Sequence, residues 1–355
     1  MIQSQRKDDH VAHAEALFKE SRHNEFDDLE FVHHSLPGID CDQVSLETSV
    51  GNFEWPLPFY INGMTGGSQK TGEINCQLGE VASATGLAIA TGSQSAALKN
   101  PELRDTFSTL RKHNPHGFVM GNVGIDTSPE LAEQAVEMLD ANALQVHINA
   151  PQELVMPEGD RHFSTWLDNL SAIRERVGVP VIAKEVGFGM SDTTIRLLQE
   201  RGLTLIDVSG RGGTDFIAIE NLRRPVAELD YIKGWGQSAA ASLIEASPVL
   251  HSAQLLASGG VRTPLDILKA LALGAKAVGV SGQVLHTLMN QGPEALIAML
   301  EEWKQQLRTL MTMIGAANVA SLQHSDLLVR GRLREYCELR GLNPAGYARR
   351  SRSQA

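Results

Sequence analysis

His147 and Asn149 stand two positions apart at the end of a short apolar run, a spacing that puts both side chains on one face of a β-strand. A lone strand histidine usually fills a core, but a companion amide at i+2 is what a lined pocket would carry. Gln152 and Glu153 follow directly, with Glu158, Asp160 and Arg161 just beyond. One carboxylate of such a group beside a bound diphosphate would suit Mg2+, which takes few protein ligands and fills its shell with phosphate oxygens and water. Lys184 ends another apolar run, and a buried lysine needs an anionic partner. Its neighbour Glu185 alternates to the opposite face of the strand, so the expected partner is an anionic cofactor. A lysine beside an electron-rich ring stabilises negative charge, such as a reduced flavin carries near N1; a Schiff-base lysine is the other use. Arg6 and Lys7, with His10 behind them, form a dense basic patch that reads either as a frayed terminus or as an arm that clamps a phosphate.

The segments that position these residues recur in one order: a β-rich apolar run, a loop bearing Gly, Ser or Asn, then a stretch of helical period. The runs are 58–62, 87–91, 117–121, 143–148, 179–184, 203–208, 254–257 and 277–280. Helices are expected over 74–85, 101–112, 128–142, 163–177, 191–201, 237–245 and 264–273. Ser128-Pro129 and Thr263-Pro264 read as N-caps with proline at the first helical position, and Gly86, Gly202 and Gly274 as left-handed caps. Runs this apolar, alternating with helices, signal a parallel sheet buried on both faces. Eight repeats suit an α/β fold of (β/α)8 TIM-barrel type better than an open doubly wound sheet. The expected organisation is an N-terminal arm and helix over 1–57, with a helical stretch near 11–21; a barrel over 58–292; and a C-terminal helical extension with a basic tail over 293–355. That tail, ending Arg349-Arg350-Ser351-Arg352, reads as a solvated end.

With 31 Lys+Arg against 42 Asp+Glu the chain carries a formal net charge of −11, which argues against a nucleic-acid binder. No uncharged apolar run reaches the roughly 18 residues of a membrane span, and the first ten residues lack the apolar core of a secretory signal. Cys41, Cys76 and Cys337 are too few and too scattered for a disulfide framework, so a reducing, cytoplasmic setting is expected.

In a barrel the active site is built by the loops that follow the strands. Here nearly every strand end is polar: Gly63-Met64-Thr65-Gly66-Gly67-Ser68 after the first, Ser93-Gln94 after the second, Asn122 after the third, and Ser209-Gly210-Arg211-Gly212-Gly213-Thr214 after the sixth. Ser258-Gly259-Gly260 and Val280-Ser281-Gly282 close the seventh and eighth. Glycines at these two places let backbone approach a phosphate, and a helix N-terminus supplies free N–H groups. Tight turns would explain either glycine pair alone; both together, at the strand numbers where barrels commonly bind phosphate, favour a phosphate site.

The motifs R-K-D-D-H, M-T-G-G-S, G-S-Q, G-N-V-G, H-I-N-A-P-Q-E, G-D-R, K-E-V-G-F-G, V-S-G-R-G-G-T and A-S-G-G-V-R stand in this order. Jointly they resemble the type 2 isopentenyl-diphosphate isomerase family over residues 6 to about 282. The resemblance implies FMN, active when reduced and usually supplied with electrons by NADPH or NADH. It implies a flavin held by Gly63, Met64, Thr65, Ser93, Asn122, Lys184, Ser209, Thr214, Gly259, Gly260, Ser281 and Gly282. It further implies a substrate diphosphate held by Arg6 and Lys7, Gln152 close to the substrate, Glu153 as a Mg2+ ligand, and a homo-oligomer, tetramer or octamer. The implied reaction interconverts isopentenyl and dimethylallyl diphosphates. It calls for proton addition and removal that no untuned side chain manages at neutral pH, and His147, Asn149 and Gln152 are expected to orient the alkene beside the reduced flavin. Val280-Ser281-Gly282 departs slightly from the family pattern, where alanine is usual.

The strongest rival is an FMN-dependent α-hydroxy-acid oxidoreductase. Such enzymes resemble this chain in the phosphate loops but carry a histidine and an arginine after the sixth strand, and the loop 209–214 has no histidine. A barrel resembling inosine-monophosphate dehydrogenase would need a loop cysteine, and none of the three cysteines is so placed.

Overall fold

The structure, a computed structural model, describes residues 3–18 and 24–351. Strands β1 (Phe59–Ile61), β2 (Ala88–Ala90), β3 (Val119–Gly124), β4 (Ala143–Ile148), β5 (Val181–Glu185), β6 (Leu205–Asp207), β7 (Gln254–Ser258) and β8 (Ala275–Val280) form a closed barrel in sequence order. All neighbours are parallel, and β8 closes onto β1 with Val278 opposite Phe59 and Val280 opposite Ile61. Each strand overlaps one of the eight apolar runs.

The arm helix α1 (Gln3–Ala16) precedes the barrel, and the helices that follow the strands are α2 (Gln69–Thr85), α3 (Asp105–His113), α4 (Pro129–Leu139), α5 (Trp166–Arg176), α6 (Asp192–Glu200), α7 (Ala239–Glu245), α8 (Pro264–Ala272) and α9 (Gly282–Met313). Ser128 and Thr263 cap α4 and α8 through their side chains, each ahead of a first-turn proline. Gly86 is left-handed at the end of α2. Several boundaries depart from expectation, α3 starting at Asp105 and α5 at Trp166 among them, and two have a local cause. α2 starts at Gln69, five residues early, because Ser68 and Thr71 form a capping box. α4 stops at Leu139 because Asp140 turns left-handed at φ 43°. The short helices Ser95–Lys99, Ala150–Val155 and Phe216–Leu222 lie within the loops after β2, β4 and β6; they are too brief to show a hydrophobic period.

Strand alternation divides the barrel interior into an apolar floor and a polar mouth. Tyr60, Met120, Ile182, Leu205 and Leu256 pack in one buried cluster. Two residues further along the same strands, on the same face, stand Asn62, Asn122, Lys184, Asp207 and Ser258, all buried. The antiparallel pair Thr48–Val50 and Phe53–Trp55 plugs the floor. There the Trp55 ring lies 5.7 Å from Tyr60 and 5.0 Å from Phe118, centroid to centroid.

α9 runs through residue 292 with a kink at Gly292, φ 86°, immediately before Pro293. Leu29–Phe31 pairs antiparallel with Leu327–Val329, tying the segment before the barrel to the one after it. In the basic tail Arg349 and Ser351 are exposed, as expected of a solvated end, but Arg350 is anchored. Arg350 donates to the Ala272 carbonyl at 2.8 Å and lies 4.8 Å from the Tyr347 ring centroid, and Ser351 bonds Asp326. Its guanidinium is drawn in because the end of α8 leaves a carbonyl that needs a donor. Arg352 and the end of the expected helical stretch near residue 21 lie outside the described residues. Among the described residues no helix is long and apolar enough to cross a membrane.

Candidate active site

The polar layer above the floor is built around a buried ion pair. Lys184 Nζ lies 2.8 Å from Asp207 Oδ2, and it also donates to Ser258 Oγ at 3.2 Å and to the Glu185 carbonyl at 3.1 Å. Tyr60 Oη donates to the same Asp207 oxygen at 3.0 Å. Burial, with the Asp207 charge beside it, pushes the Tyr60 phenol well above its ordinary range. Within the chain the anionic partner of Lys184 is Asp207, one strand over, which the sequence expectation did not name; Lys184 also lines the cavity beneath the arm. Glu185 does face the other way, where its Oε2 accepts the backbone N–H groups of Val186, Gly187 and Phe188. Asp207 carried a signal that went unread: it is the one carboxylate in an otherwise apolar run of strand spacing.

His147 stands above this layer. Its Nδ1 lies 2.8 Å from Asn122 Oδ1, while Asn122 Nδ2 donates to Gln145 Oε1 at 3.1 Å. Because the amide end of Asn122 is already spent on Gln145, its oxygen must accept, so the histidine proton sits on Nδ1 and Nε2 is left as an acceptor. Burial, then the positive charges of Lys7 and Lys184, lower the His147 pKa to about 3, so the imidazole is neutral at ordinary pH.

Asn149 follows the strand at the N-terminal flank of the short helix Ala150–Val155, without a side-chain capping bond, and that helix presents Gln152 and Glu153. Asn149 Nδ2 donates to Glu153 Oε1 at 2.8 Å, and the second Glu153 oxygen accepts the Asp160 N–H at 2.8 Å. Gln152 Nε2 donates to Glu220 Oε1 at 2.9 Å. Glu220, fully buried, also meets His10 Nε2 at 3.1 Å and Arg223 at 2.5 Å. Burial alone would raise its pKa, but His10, Gln152 and Arg223 together outweigh it and hold the group down at about 2. Glu220 and Arg223 escaped the sequence reading because the helix Phe216–Leu222 that carries Glu220 has no detectable period.

The arm lies across the mouth of its own barrel. Lys7 Nζ reaches the Ser93 carbonyl at 3.4 Å, Arg6 approaches Glu158 at 3.7 Å, and Asp8 accepts the Ser68 hydroxyl at 2.5 Å. Lys7 is buried, and that burial, with the Arg6 charge adding to it and Glu220 opposing, brings its pKa down to about 8.

Beneath the arm is a cavity of about 850 Å³. It is lined by Arg6, Lys7, His147, Asn149, Gln152 and Glu153, and on its other walls by Gly63, Met64, Ser93, Asn122, Lys184, Ser209, Thr214, Gly259, Gly260, Ser281 and Gly282. Thr65 departs from expectation: it is buried behind the wall, its carbonyl accepting the Gly92 N–H at 3.1 Å and its hydroxyl without a partner. Gly259 and Gly260 adopt φ 89° and 77°, and a Cβ on Gly259 would lie 1.9 Å from the Gly210 carbonyl oxygen. Only glycine lets the loops after β6 and β7 close on each other here. Ser209, at φ 21°, is held in a conformation unusual for serine, its N–H on Asp207 Oδ1.

These features fit a flavin mononucleotide. The volume lies in the range of cofactor sites, and the glycine backbone with the start of α9 offers at one end the N–H groups that a phosphate would take. Arg262 beside it is paired with Asp27 and Asp266. For Mg2+, Glu153 offers a single carboxylate, the number that ion takes when a diphosphate supplies the remaining oxygens.

A model of the FMN-dependent dehydrogenase family matches residues 123–329. The isopentenyl-diphosphate delta-isomerase of Latilactobacillus sakei is 50% identical over 342 residues, 96% of this chain and 98% of that protein. That of a Streptomyces strain is 50% identical over 354 residues, 99% of this chain and 97% of that protein. Among solved structures, a flavocytochrome b2 variant with benzoylformate matches with TM-score 0.64 and 18% identity, over 92% of this chain and 84% of that one. A mandelate oxidase variant matches with TM-score 0.65 and 17% identity, over 91% and 92%. At those identities the structures bear on the barrel alone.

Proposed function

The chain belongs to the isopentenyl-diphosphate delta-isomerase family in its type 2 form, built on the FMN-dependent dehydrogenase barrel, and from that premise we propose how its residues interconvert isopentenyl and dimethylallyl diphosphates. The observation that carries the reading is the placement of Arg6 and Lys7 over a cavity that also presents His147, Gln152 and Glu153. Two cations at the mouth bind the diphosphate. Glu153 would hold Mg2+, which would neutralise the diphosphate, its carboxylate oriented by Asn149 and the Asp160 N–H. The hydrocarbon end then points inward, toward His147, Asn149 and Gln152.

Gly63, Met64, Ser93, Asn122, Lys184, Ser209, Thr214, Gly259, Gly260, Ser281 and Gly282 would hold the flavin, with Thr65 packed behind them. A reduced flavin supplies proton exchange and an electron-rich face, and NADPH or NADH would reduce it. Moving a double bond passes through a cation-like state, which a charged imidazole would repel. The neutral His147 avoids that repulsion and presents Nε2 as an acceptor. Gln152 is held by Glu220, so its amide keeps one orientation as the alkene is repositioned. The arm, pinned by Asp8 and His10, excludes water from the cavity.

The test is a visible spectrum of the purified chain, then an anaerobic assay with reductant, Mg2+ and isopentenyl diphosphate. A yellow protein that forms dimethylallyl diphosphate only after reduction is expected; a colourless protein that cannot be reconstituted, or one without turnover when reduced, refutes the reading. Glu153→Gln should lose Mg2+-dependent turnover, and an unchanged rate and Mg2+ requirement would remove Glu153 from the metal. Assembly as a homo-oligomer, tetramer or octamer, is part of the proposal and is checked by sedimentation.

A further inference from the structure

Away from the cavity, α2 and α3 run side by side and bring three unlike donors together. Cys76 Sγ lies 3.4 Å from His113 Nε2 and 3.9 Å from Glu80 Oε1, and His113 Nε2 lies 3.9 Å from the same carboxylate oxygen. These atoms all fall within 4.8 Å of one another, and among the described residues no other His, Cys, Asp or Glu group of three is so disposed. None of the three lines the cavity.

The histidine is prepared as a ligand. Its Nδ1 lies 2.8 Å from the Thr109 carbonyl, one turn back on α3, so that nitrogen carries the proton and the lone pair is on Nε2. Cys76 Sγ lies 3.4 Å from Nε2 and 3.6 Å from Nδ1, over the ring, so the ring turns on binding to aim Nε2 at the shared ion. A backbone carbonyl that fixes the tautomer in this way is the usual support of a metal-bound imidazole. Helix packing sets the distance: a Cβ on Gly79 would lie 2.9 Å from the Leu110 carbonyl oxygen and 3.1 Å from His113 Cβ. Glycine there lets the end of α3 settle between Cys76 and Glu80, which occupy i and i+4 on α2 and so share a face. In a tetrahedral zinc site, bond lengths near 2.3 Å to sulfur and 2.0 Å to nitrogen place donors about 3.5 Å apart. The cysteine–histidine separation already has that value, and the glutamate needs to close by a few tenths of an ångström.

We propose that Cys76, Glu80 and His113 bind one zinc-class divalent ion, with water in the fourth position. A thiolate, an imidazole and one carboxylate select a borderline-soft ion over Mg2+, which prefers all-oxygen shells. Glu80 and His113 are half-exposed, with side chains 53% and 38% accessible, so the ion enters from solvent. The ion would clamp α2 to α3. That pair also carries the loop at the barrel mouth, because Gly67 donates to Thr106 Oγ1 at 3.1 Å and Asn75 to the Thr106 carbonyl at 2.8 Å.

The test uses the full chain, saturated with Mg2+ and titrated with Zn2+. Bound zinc is measured after desalting, and alkylation of the Cys76 peptide is followed by mass spectrometry, which separates it from the exposed Cys41. The expected result is one zinc equivalent that both Cys76→Ser and His113→Asn lose, and Cys76 alkylation slowed at least about tenfold by Zn2+ but not by Mg2+. Glu80→Gln should weaken zinc binding by roughly ten- to a hundredfold. Circular dichroism of each variant confirms folding. Zinc content unchanged in Cys76→Ser or His113→Asn, or alkylation of Cys76 indifferent to Zn2+, overturns the proposal.

Discussion

Lys7 couples the arm to pH. Its folded pKa of about 8 lies below the ordinary lysine range because burial and then Arg6 disfavour the charge. Below pH 8 the buried ammonium costs stability, and that cost fades as pH rises from about 8 toward the unfolded value. Substrate binding responds in the opposite sense, since the neutral amine no longer attracts a diphosphate. KM for the diphosphate should rise above pH 8, and Lys7→Arg should move that rise out of range because a guanidinium stays charged. A KM flat to pH 9.5 in the parent chain, a pH chosen about 1.5 units past the transition, would remove Lys7 from the binding site. Beneath it, Asp207 is wholly buried and answers Lys184, Tyr60 and Ser258 together. Asp207→Ala leaves Lys184 charged and unpaired, so urea unfolding should register a loss of about 3–5 kcal/mol. Neither role could be read from single residues. Lys184 was legible as a lysine that needed an anion, but the identity of the anion depended on β5 and β6 being neighbours in register, with Lys184 opposite Asp207.

The loops after β6 and β7 act as one element because their glycines touch. Gly259→Ala would set a methyl group against the Gly210 carbonyl at a backbone angle L-residues avoid. Flavin affinity should fall by at least about tenfold, equivalent to about 1.4 kcal/mol, with the secondary structure retained by circular dichroism. Equal affinity in flavin titration would show that the contact between the loops does not shape the cradle. The glycine motifs themselves were plain in the sequence. What they pack against was not, because φ and close approach are properties of two loops from separate parts of the chain. Long helices with Ser-Pro or Thr-Pro starts were also legible, whereas Phe216–Leu222 and Ala150–Val155 were not. Those two short segments hold Glu220, Gln152 and Glu153, so the least periodic stretches carry much of the site.

Across the whole barrel, stability and chemistry sit at opposite ends. The floor is closed by Trp55 against Tyr60 and Phe118, while every group assigned to substrate or flavin stands at the mouth. Trp55→Ala should therefore lower unfolding free energy by about 3–5 kcal/mol while the flavin spectrum and low-temperature turnover stay as they were. Loss of flavin binding on that substitution, measured below the unfolding transition, would show that the two ends are coupled. The arm closes the mouth over the same chain's barrel, and Leu29–Phe31 with Leu327–Val329 binds the two flanking segments to one another.

The sequence by itself determined the eightfold repeat, the strand positions and the motif order, since alternation and apolar runs are local properties of the chain. It also fixed the residue types of the phosphate cradle and the basic arm. Only the tertiary structure decided which polar groups meet: Lys184 with Asp207, Gln152 with Glu220, and Lys7 with the Ser93 carbonyl. Those meetings depend on barrel closure and strand register, which bring together residues dozens of positions apart, and electrostatic pairing acts through space without regard to distance along the chain.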